Sequence, residues 1–273
     1  MSSPARALDW ERLSFRLVFG ALAAISLVFL VAPTLILLAT SFTGGESLRF
    51  PPDGFSLRWY AALGDADQLQ DAAWNSLVVA VWTTLLSLLL GVSAALALAR
   101  SRAAWARILD GLFMSPLLLP ALALGFGMLV FFNLVGFARL SLAALVAGHT
   151  VVCVPFVLRN ALAALAQLDP AMLEVAQSLG AGRVYTFRRV TLPLIAPGVT
   201  AGAFVAFMAS FDNVPISLFL ADARTQMLPI HLWEIIEQSL DVRTAAASGV
   251  IVLVTLLLMA LAERFAGITR QLR

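Results

Sequence analysis

Long apolar stretches alternate with short charged segments along the whole chain. Stretches without a charged residue cover 17–45, 72–99, 111–138, 140–158, 190–211 and 244–262. A transmembrane α-helix needs about 20 mostly apolar residues to cross the hydrocarbon core of a bilayer. The pattern therefore predicts an all-α integral membrane protein, a single transmembrane domain over residues 1–273. Its six spans are expected at about residues 17–41, 73–99, 108–132, 141–165, 194–220 and 245–267.

Two departures from plain spans are visible in the same pattern. The third span contains two prolines and two glycines, which should break or bend it: Pro116, Pro120, Gly125 and Gly127. The segment 221–244 has apolar residues at helical spacing, which predict an amphipathic helix on the membrane or on a partner: Leu228, Leu232, Ile235 and Ile236.

Composition agrees with a membrane protein, and the placement of arginine predicts its orientation. Hydrophobic residues make up 61% of the chain and charged residues 12%, whereas a soluble domain has about a quarter charged residues. All 18 basic residues are arginines. The segments 1–16, 100–110, 159–193 and 264–273 hold Arg6, Arg12, Arg16, Arg100, Arg102, Arg107, Arg159, Arg183, Arg188, Arg189, Arg264, Arg270 and Arg273. The alternate segments hold Arg49, Arg58, Arg139, Arg224 and Arg243.

The arginine-rich segments are expected in the cytoplasm, together with both termini, because cytoplasmic loops carry an excess of basic residues. The net charge of +2 is then a topology signal and does not indicate a nucleic-acid partner.

The chemistry-bearing residues are too few for catalysis. Without lysine, the chain cannot form a P-loop for ATP. Its one cysteine, Cys153, shares a helix face with His149, which favours a packed helix interface over a metal site with three or four ligands. We therefore expect no enzyme activity, no metal and no cofactor in this polypeptide.

The segment 166–193 interrupts the apolar pattern with a short amphipathic helix. Asp169 is a good N-cap, and Pro170 suits the first helical turn. One apolar stripe follows, made of Met172, Val175, Ala176 and Leu179. Gly180 and Gly182 are placed to end the helix. A helix of about ten residues is marginal in isolation, so another surface is expected to dock against it.

The spacing within this segment resembles the EAA loop of permeases from binding-protein-dependent ABC importers. Glu174-Val175-Ala176 is followed after three residues by Gly180, and later by a Leu192-Pro193 pair. The resemblance implies a type I importer permease fold, in which the loop is the coupling helix held by an ATPase. The coupling residues implied are Glu174, Val175, Ala176, Leu179, Gly180 and Ala181.

The same resemblance implies the rest of the assembly. A cytosolic ABC ATPase dimer, a second homologous permease and a periplasmic solute-binding protein would join this chain in the lipid of a bacterial inner (plasma) membrane. The stretch 209–249 is similar to PotC-type permeases of spermidine/putrescine importers, which implies polyamine import. Permeases for opines, phosphonates, thiamine and iron share much of this pattern. An ion-coupled secondary transporter and a membrane scaffold are the alternatives from outside the family.

Asp212 is the carboxylate placed deepest in a predicted span, and charges there are costly and usually functional. A site facing a translocation path, with Asn213, Phe211 and Phe207 beside it, would suit a cationic solute. Pairing with an arginine of a sister subunit, or a position at the lipid headgroups, would explain the carboxylate equally well.

Overall fold

The computed structural model describes residues 10–101, 103–136, 141–222, 224–238 and 242–266. The α-helices of these residues are α1 (Trp10–Ser41), α2 (Arg58–Ala62), α3 (Asp67–Ala99), α4 (Ala104–Leu118), α5 (Ala121–Leu134), α6 (Leu142–Ala166), α7 (Pro170–Ser178), α8 (Arg183–Thr186), α9 (Leu192–Phe211), α10 (Val214–Leu220), α11 (Leu228–Gln238) and α12 (Val242–Ala266). A 3₁₀ turn covers Leu63–Asp65, and a π-helical turn, Phe187–Thr191, joins α8 to α9.

Five helical segments of the described chain are long and apolar enough to span a membrane: Ser14–Ser41, Asp67–Ala99, Leu142–Ala166, Arg183–Phe211 and Val242–Leu261. Counting the bent pair α4 and α5 as one span gives six, which confirms the predicted all-α membrane fold. The end of the sixth predicted span at 267 lies outside the described residues, as do Arg6, Arg102, Arg139, Arg270 and Arg273 of the orientation argument.

The third predicted span is bent sharply, as its prolines predict. The chain changes direction by 107° between α4 and α5. Leu119, between the two helices, has an extended backbone with φ −85° and ψ 146°. Pro120 is the cause, because the ring of a proline disfavours the helical conformation of the residue before it.

The fifth predicted span ends earlier than expected. The prediction continued it to residue 220, but α9 stops at Phe211 and α10 starts anew at Val214. The Asn213 side chain accepts a hydrogen bond from the Ile216 N–H at 2.9 Å and so caps α10. Pro215 has no N–H to continue the hydrogen bonding of α9. The chain therefore breaks at Asp212 and Asn213, which we call the α9–α10 break.

The centre of the helix bundle is formed by α3, α6 and α9, which pack on one another. Small residues permit this packing. A Cβ at Gly91 of α3 would stand 2.9 Å from Val157 of α6, and a Cβ at Gly202 of α9 would stand 3.0 Å from the Val157 Cα. Close backbone approach through small residues is the usual way in which membrane helices associate, since lipid gives no hydrophobic drive between them.

Contacts within the chain divide it into two units. The first runs to Asp65 and includes the start of α12 up to Val252. In it, the hydroxyls of Ser41 and Tyr60 lie 2.7 Å apart. The second unit contains α3 to α11 and the remainder of α12. Its apolar core lies around Val79, Met128, Leu145, Ile216, Leu220 and Met227.

Candidate functional site

The helix α7 begins where the sequence predicts. The Asp169 carboxylate accepts a hydrogen bond from the Ala171 N–H at 2.9 Å, and Pro170 occupies the first turn. The Asp169 carbonyl accepts from the Met172 N–H at 3.1 Å. These contacts satisfy amide groups that would otherwise be unpaired at the start of a helix.

The helix α7 ends in a Schellman motif centred on Gly180. The Gly180 N–H donates to the Gln177 carbonyl at 2.9 Å, and the Ala181 N–H donates to the Ala176 carbonyl at 3.0 Å. The φ of Gly180 is +82°, a conformation that costs other residues energy because of their Cβ. A Cβ here would meet no atom within 4 Å. Backbone conformation, and not space, is therefore the reason for glycine.

The two sides of α7 have different environments. Leu173 and Ala176 are partly buried against the chain. Glu174 is exposed, Val175 is 58% exposed and Leu179 is 82% exposed. Among the described residues, no cation lies within ion-pairing distance of Glu174. Of the predicted coupling residues, Ala176 and Ala181 are thus partly buried, while Glu174, Val175 and Leu179 are exposed and form a surface that we call the α7 face.

The segment after α7 adds exposed apolar side chains that the sequence did not indicate. Val184 and Tyr185 of α8 are 71% and 61% exposed. The π-helical turn that follows leads directly into α9. Such turns often occur at functional sites, because one wider turn changes the register of the side chains beyond it.

A cleft of about 500 Å³ lies between α6 and α9, beside the start of α7. Its polar lining consists of Asn160, Gln167 and Asp169. Its apolar lining includes Met172 and Leu194. The cleft thus connects the C-terminal end of α6 and the N-terminal end of α9 to the first turn of α7.

Asp212 lies at the C-terminal end of α9 and its side chain is exposed. Its N–H donates to the Met208 carbonyl at 3.1 Å. The rings of Phe207 and Phe211, one turn apart near the end of α9, stack on each other, with centroids 6.0 Å apart and planes inclined by 18°. These three predicted residues therefore all lie in the last two turns of α9 or at its end, whereas the Asn213 side chain is engaged in capping α10.

One ion pair was not singled out by the sequence. Arg159 of α6 donates to Asp110 of α4 at 3.3 Å and to the Met114 sulfur at 3.0 Å. Both charged residues fall inside predicted spans, and that placement was the available signal. Within the described part of the chain, no three His, Cys, Asp or Glu side chains are grouped closely enough to hold a metal ion.

His149 and Cys153 lie in a packed helix interface, as predicted. Both are fully buried. His149 contacts the hydroxyls of Ser210 and Ser217, and the Cys153 thiol donates to the Ala206 carbonyl at 3.4 Å.

Long apolar helices of span length, with shorter helices between them, define a multi-pass membrane protein. Residues 87–270 match the family described as the inner membrane component of binding-protein-dependent transport systems. The chain belongs to this family, and it is an inner-membrane permease of the ABC importer class.

Several known proteins are similar to this chain over most of its length. The spermidine/putrescine transport system permease PotC of Escherichia coli K12 is 30% identical over 246 residues, which cover 89% of this chain and 92% of that protein. PotC of Haemophilus influenzae is 28% identical, with coverage of 86% and 91%. A putative 2-aminoethylphosphonate permease, PhnV, of Salmonella typhimurium is 29% identical, with coverage of 88% and 90%.

Solved structures show the same fold. A chain of a bacterial alginate ABC transporter, in complex with an alginate-bound periplasmic protein, matches with a TM-score of 0.73 and 15% identity, covering 95% of this chain and 97% of that one. A chain of the MetNI methionine ABC transporter matches with a TM-score of 0.60 and 17% identity, covering 72% and 94%. These similarities confirm the ABC permease fold.

Proposed function

We propose that this permease is driven by a separate cytosolic ABC ATPase dimer, which holds the α7 face. The main support is the open α7 face itself. Val175 and Leu179 are exposed on a helix of nine residues, and a helix of this length gains most of its stability from packing. Burial of a leucine or valine side chain contributes about 1.5–3 kcal/mol, so a docked groove would stabilise α7 substantially.

The orientation that this function needs agrees with the arginine distribution. Arg183, Arg188 and Arg189 lie between α7 and α9 and are exposed. Basic residues concentrate on the cytoplasmic side of a membrane. On this proposal α7 and both termini face the cytoplasm, where the ATPase is found.

The remaining partners follow from the architecture of the family. One chain with six spans forms half of a path, so a second, homologous permease completes it. A periplasmic solute-binding protein delivers the solute on the other side of the membrane. Closure of the two ATPases would move α7 and rock the two permeases between inward-open and outward-open states.

Polyamines such as spermidine and putrescine are the proposed solutes. The relatives named PotC cover nearly the whole chain, and Asp212 provides a physical argument. A carboxylate at a helix C-terminus adds negative charge to the negative end of the helix dipole, which is unfavourable for stability. Together with the stacked rings of Phe207 and Phe211, this charge would attract ammonium groups.

Reversal of the Glu174 charge tests the docking proposal. In the complex purified from membranes, Glu174→Arg should reduce the amount of ATPase retained by about tenfold or more, because on this proposal Glu174 pairs with a basic residue of the ATPase, which an arginine would repel. Glu237→Arg is the matched control, because Glu237 is also exposed on a helix, α11, but on the predicted external side. Equal retention in both variants would exclude α7 as the docking segment.

Neutralisation of Asp212 tests the solute proposal separately. Asp212→Asn should lower spermidine uptake into proteoliposomes that contain the complete system, and it should lower the solute-stimulated ATPase activity with it. Asp71→Asn is the control, since Asp71 is an exposed carboxylate near the start of α3. Unchanged uptake and ATPase activity in Asp212→Asn would remove Asp212 from the path and leave the docking proposal intact.

A further inference from the structure

His149 connects three helices through a fully buried imidazole ring. Its Nδ1 lies 2.9 Å from the Ser210 Oγ in the last turn of α9, and its Nε2 lies 3.1 Å from the Ser217 Oγ in α10. The two serines stand on opposite sides of the α9–α10 break. A single side chain of α6 thus holds both helices that meet at Asp212.

The hydrogen-bonding capacity of the ring matches this position. A neutral imidazole has one N–H donor and one nitrogen acceptor, and a serine hydroxyl can serve in either role. Each ring nitrogen therefore has a suitable partner, one serine accepting and the other donating. Loss of the ring would leave two hydroxyls without their partner in a dry interior, which is unfavourable.

Neighbouring residues bring α10 close enough for this contact. A Cβ at Gly148 would overlap the Leu220 side chain and stand 3.1 Å from the Ile216 Cγ2. On the other side of α10, a Cβ at Gly125 of α5 would stand 2.7 Å from the Pro215 carbonyl oxygen. The short helix α10 is therefore packed through glycines between α5 and α6, and His149 provides its polar link to α9.

We propose that His149 is a positioning residue that fixes the α9–α10 break and thereby the placement of the Asp212 carboxylate. This role rests on the proposed function of Asp212 as a contact for a cationic solute. Cys153, one turn further along α6, shows the difference from ordinary packing. It also contacts α9, through the Ala206 carbonyl, but it has no bond across the break.

A cysteine reporter at position 212 tests the geometry without any solute. Cys153 is the one cysteine of the chain, so Cys153→Ala gives a cysteine-free background, into which Asp212→Cys is introduced. The rate of labelling by a water-soluble maleimide is measured in the complete transporter in membranes. His149→Leu should change this rate by about threefold or more, because the break samples other conformations.

Three controls make the labelling specific. Thr150→Val removes a buried hydroxyl next to His149, which donates to the Val146 carbonyl of its own helix at 2.6 Å, and it should leave the labelling rate unchanged. His149→Asn keeps a donor and an acceptor, and its labelling rate should lie between those of the wild type and His149→Leu. A second reporter, Glu237→Cys on the exposed side of α11, should label at the same rate in every variant and so exclude general unfolding.

Transport completes the test in chains that retain Asp212. His149→Leu should lower the maximal rate of spermidine uptake by about tenfold, or about 1.4 kcal/mol, at an unchanged amount of assembled complex. His149→Asn should recover part of that rate. An unchanged labelling rate in His149→Leu, or an equal change in Thr150→Val, would overturn the positioning role. If the unmodified complex does not transport spermidine, the solute proposal fails, and the labelling experiment still decides whether His149 fixes the break.

Discussion

Gly198 of α9 lies directly against Ala164 of α6, so closely that a Cβ at position 198 would stand 2.6 Å from the Ala164 Cβ. The contact is the first of a series. The α9 residues spaced by four positions that face α6 are Gly198, Gly202, Ala206 and Ser210, and all of them are small. The two core helices consequently approach each other closely at these positions, as membrane helices with small residues at every fourth position commonly do.

This close contact predicts that replacement of Gly198 by alanine lowers the stability of the permease, whereas the same replacement usually stabilises a helix. In an exposed helix position, alanine is favoured over glycine by about 1 kcal/mol. Gly198→Ala should instead destabilise the permease by about 1–3 kcal/mol, because α6 must move to admit the methyl group. Thermal unfolding of the complex in detergent should show a lower Tm for this variant.

Two matched variants support that interpretation. Gly127→Ala of α5 adds a methyl group with no atom within 4 Å, and it should leave the Tm unchanged or raise it. The double variant Gly198→Ala with Ala164→Gly restores the space and should recover the wild-type Tm. A Tm that does not fall in Gly198→Ala would mean that the two helices are further apart than described.

The turn after α7 predicts that replacement of its glycine, Gly180, weakens the binding of the ATPase. Gly180→Ala places a Cβ in the left-handed region at φ +82°, which costs roughly 1–2 kcal/mol. The Schellman motif should open and the Leu179 side chain should lose its fixed direction. We expect about tenfold weaker retention of the ATPase, measured by co-purification.

Gly182→Ala is the control for this experiment. Gly182 has an ordinary φ of −67°, and a Cβ there would meet no atom within 4 Å. This variant should retain the ATPase as the wild type does. If both glycine variants behave alike, the positive φ of Gly180 has no part in docking.

Much of the fold could be predicted because lipid imposes strict rules on sequence. Uncharged stretches of span length have few alternatives to transmembrane helices. Local chemistry was equally clear at α7, where Asp169, Pro170 and Gly180 each act at the position expected of them. Pro120 likewise predicted the bend between α4 and α5 correctly.

The parts that the sequence did not predict depend on contacts between distant residues. The end of α9 has local signals in the Asn213 cap and in Pro215, but the apolar pattern around them predicted one continuous span, and the position of α10 depends on distant residues of α5 and α6. The Asp110–Arg159 pair joins residues 49 positions apart. The spacing of residues within one helix contains no information about which residue of another helix they contact.

The loop after α10 predicts a measurable dependence on pH. The Thr225 hydroxyl donates to the Asp222 carboxylate at 2.7 Å, and the amides of Arg224 and Thr225 donate to the same oxygen. The Thr225 hydroxyl is the main reason that the pKa of Asp222 lies below its ordinary value. A carboxyl group whose pKa is lowered by folding stabilises the fold above the unfolded pKa of about 3.9, and this stabilisation is lost as the pH falls through the lower folded value.

Removal of the Thr225 hydroxyl should therefore move the protonation of Asp222, and the loss of its hydrogen bonds, to higher pH. In Thr225→Val the pKa of Asp222 should return towards its ordinary value, so the two amide hydrogen bonds should be lost at a higher pH than in the wild type. Thr225→Ser keeps the hydroxyl and should titrate as the wild type does. The carbon-13 chemical shift of the Asp222 carboxyl, followed by NMR in lipid nanodiscs between about pH 2 and 7, measures the difference. Equal titration of the valine and serine variants would assign the lowered pKa of Asp222 to the backbone amides instead of the hydroxyl.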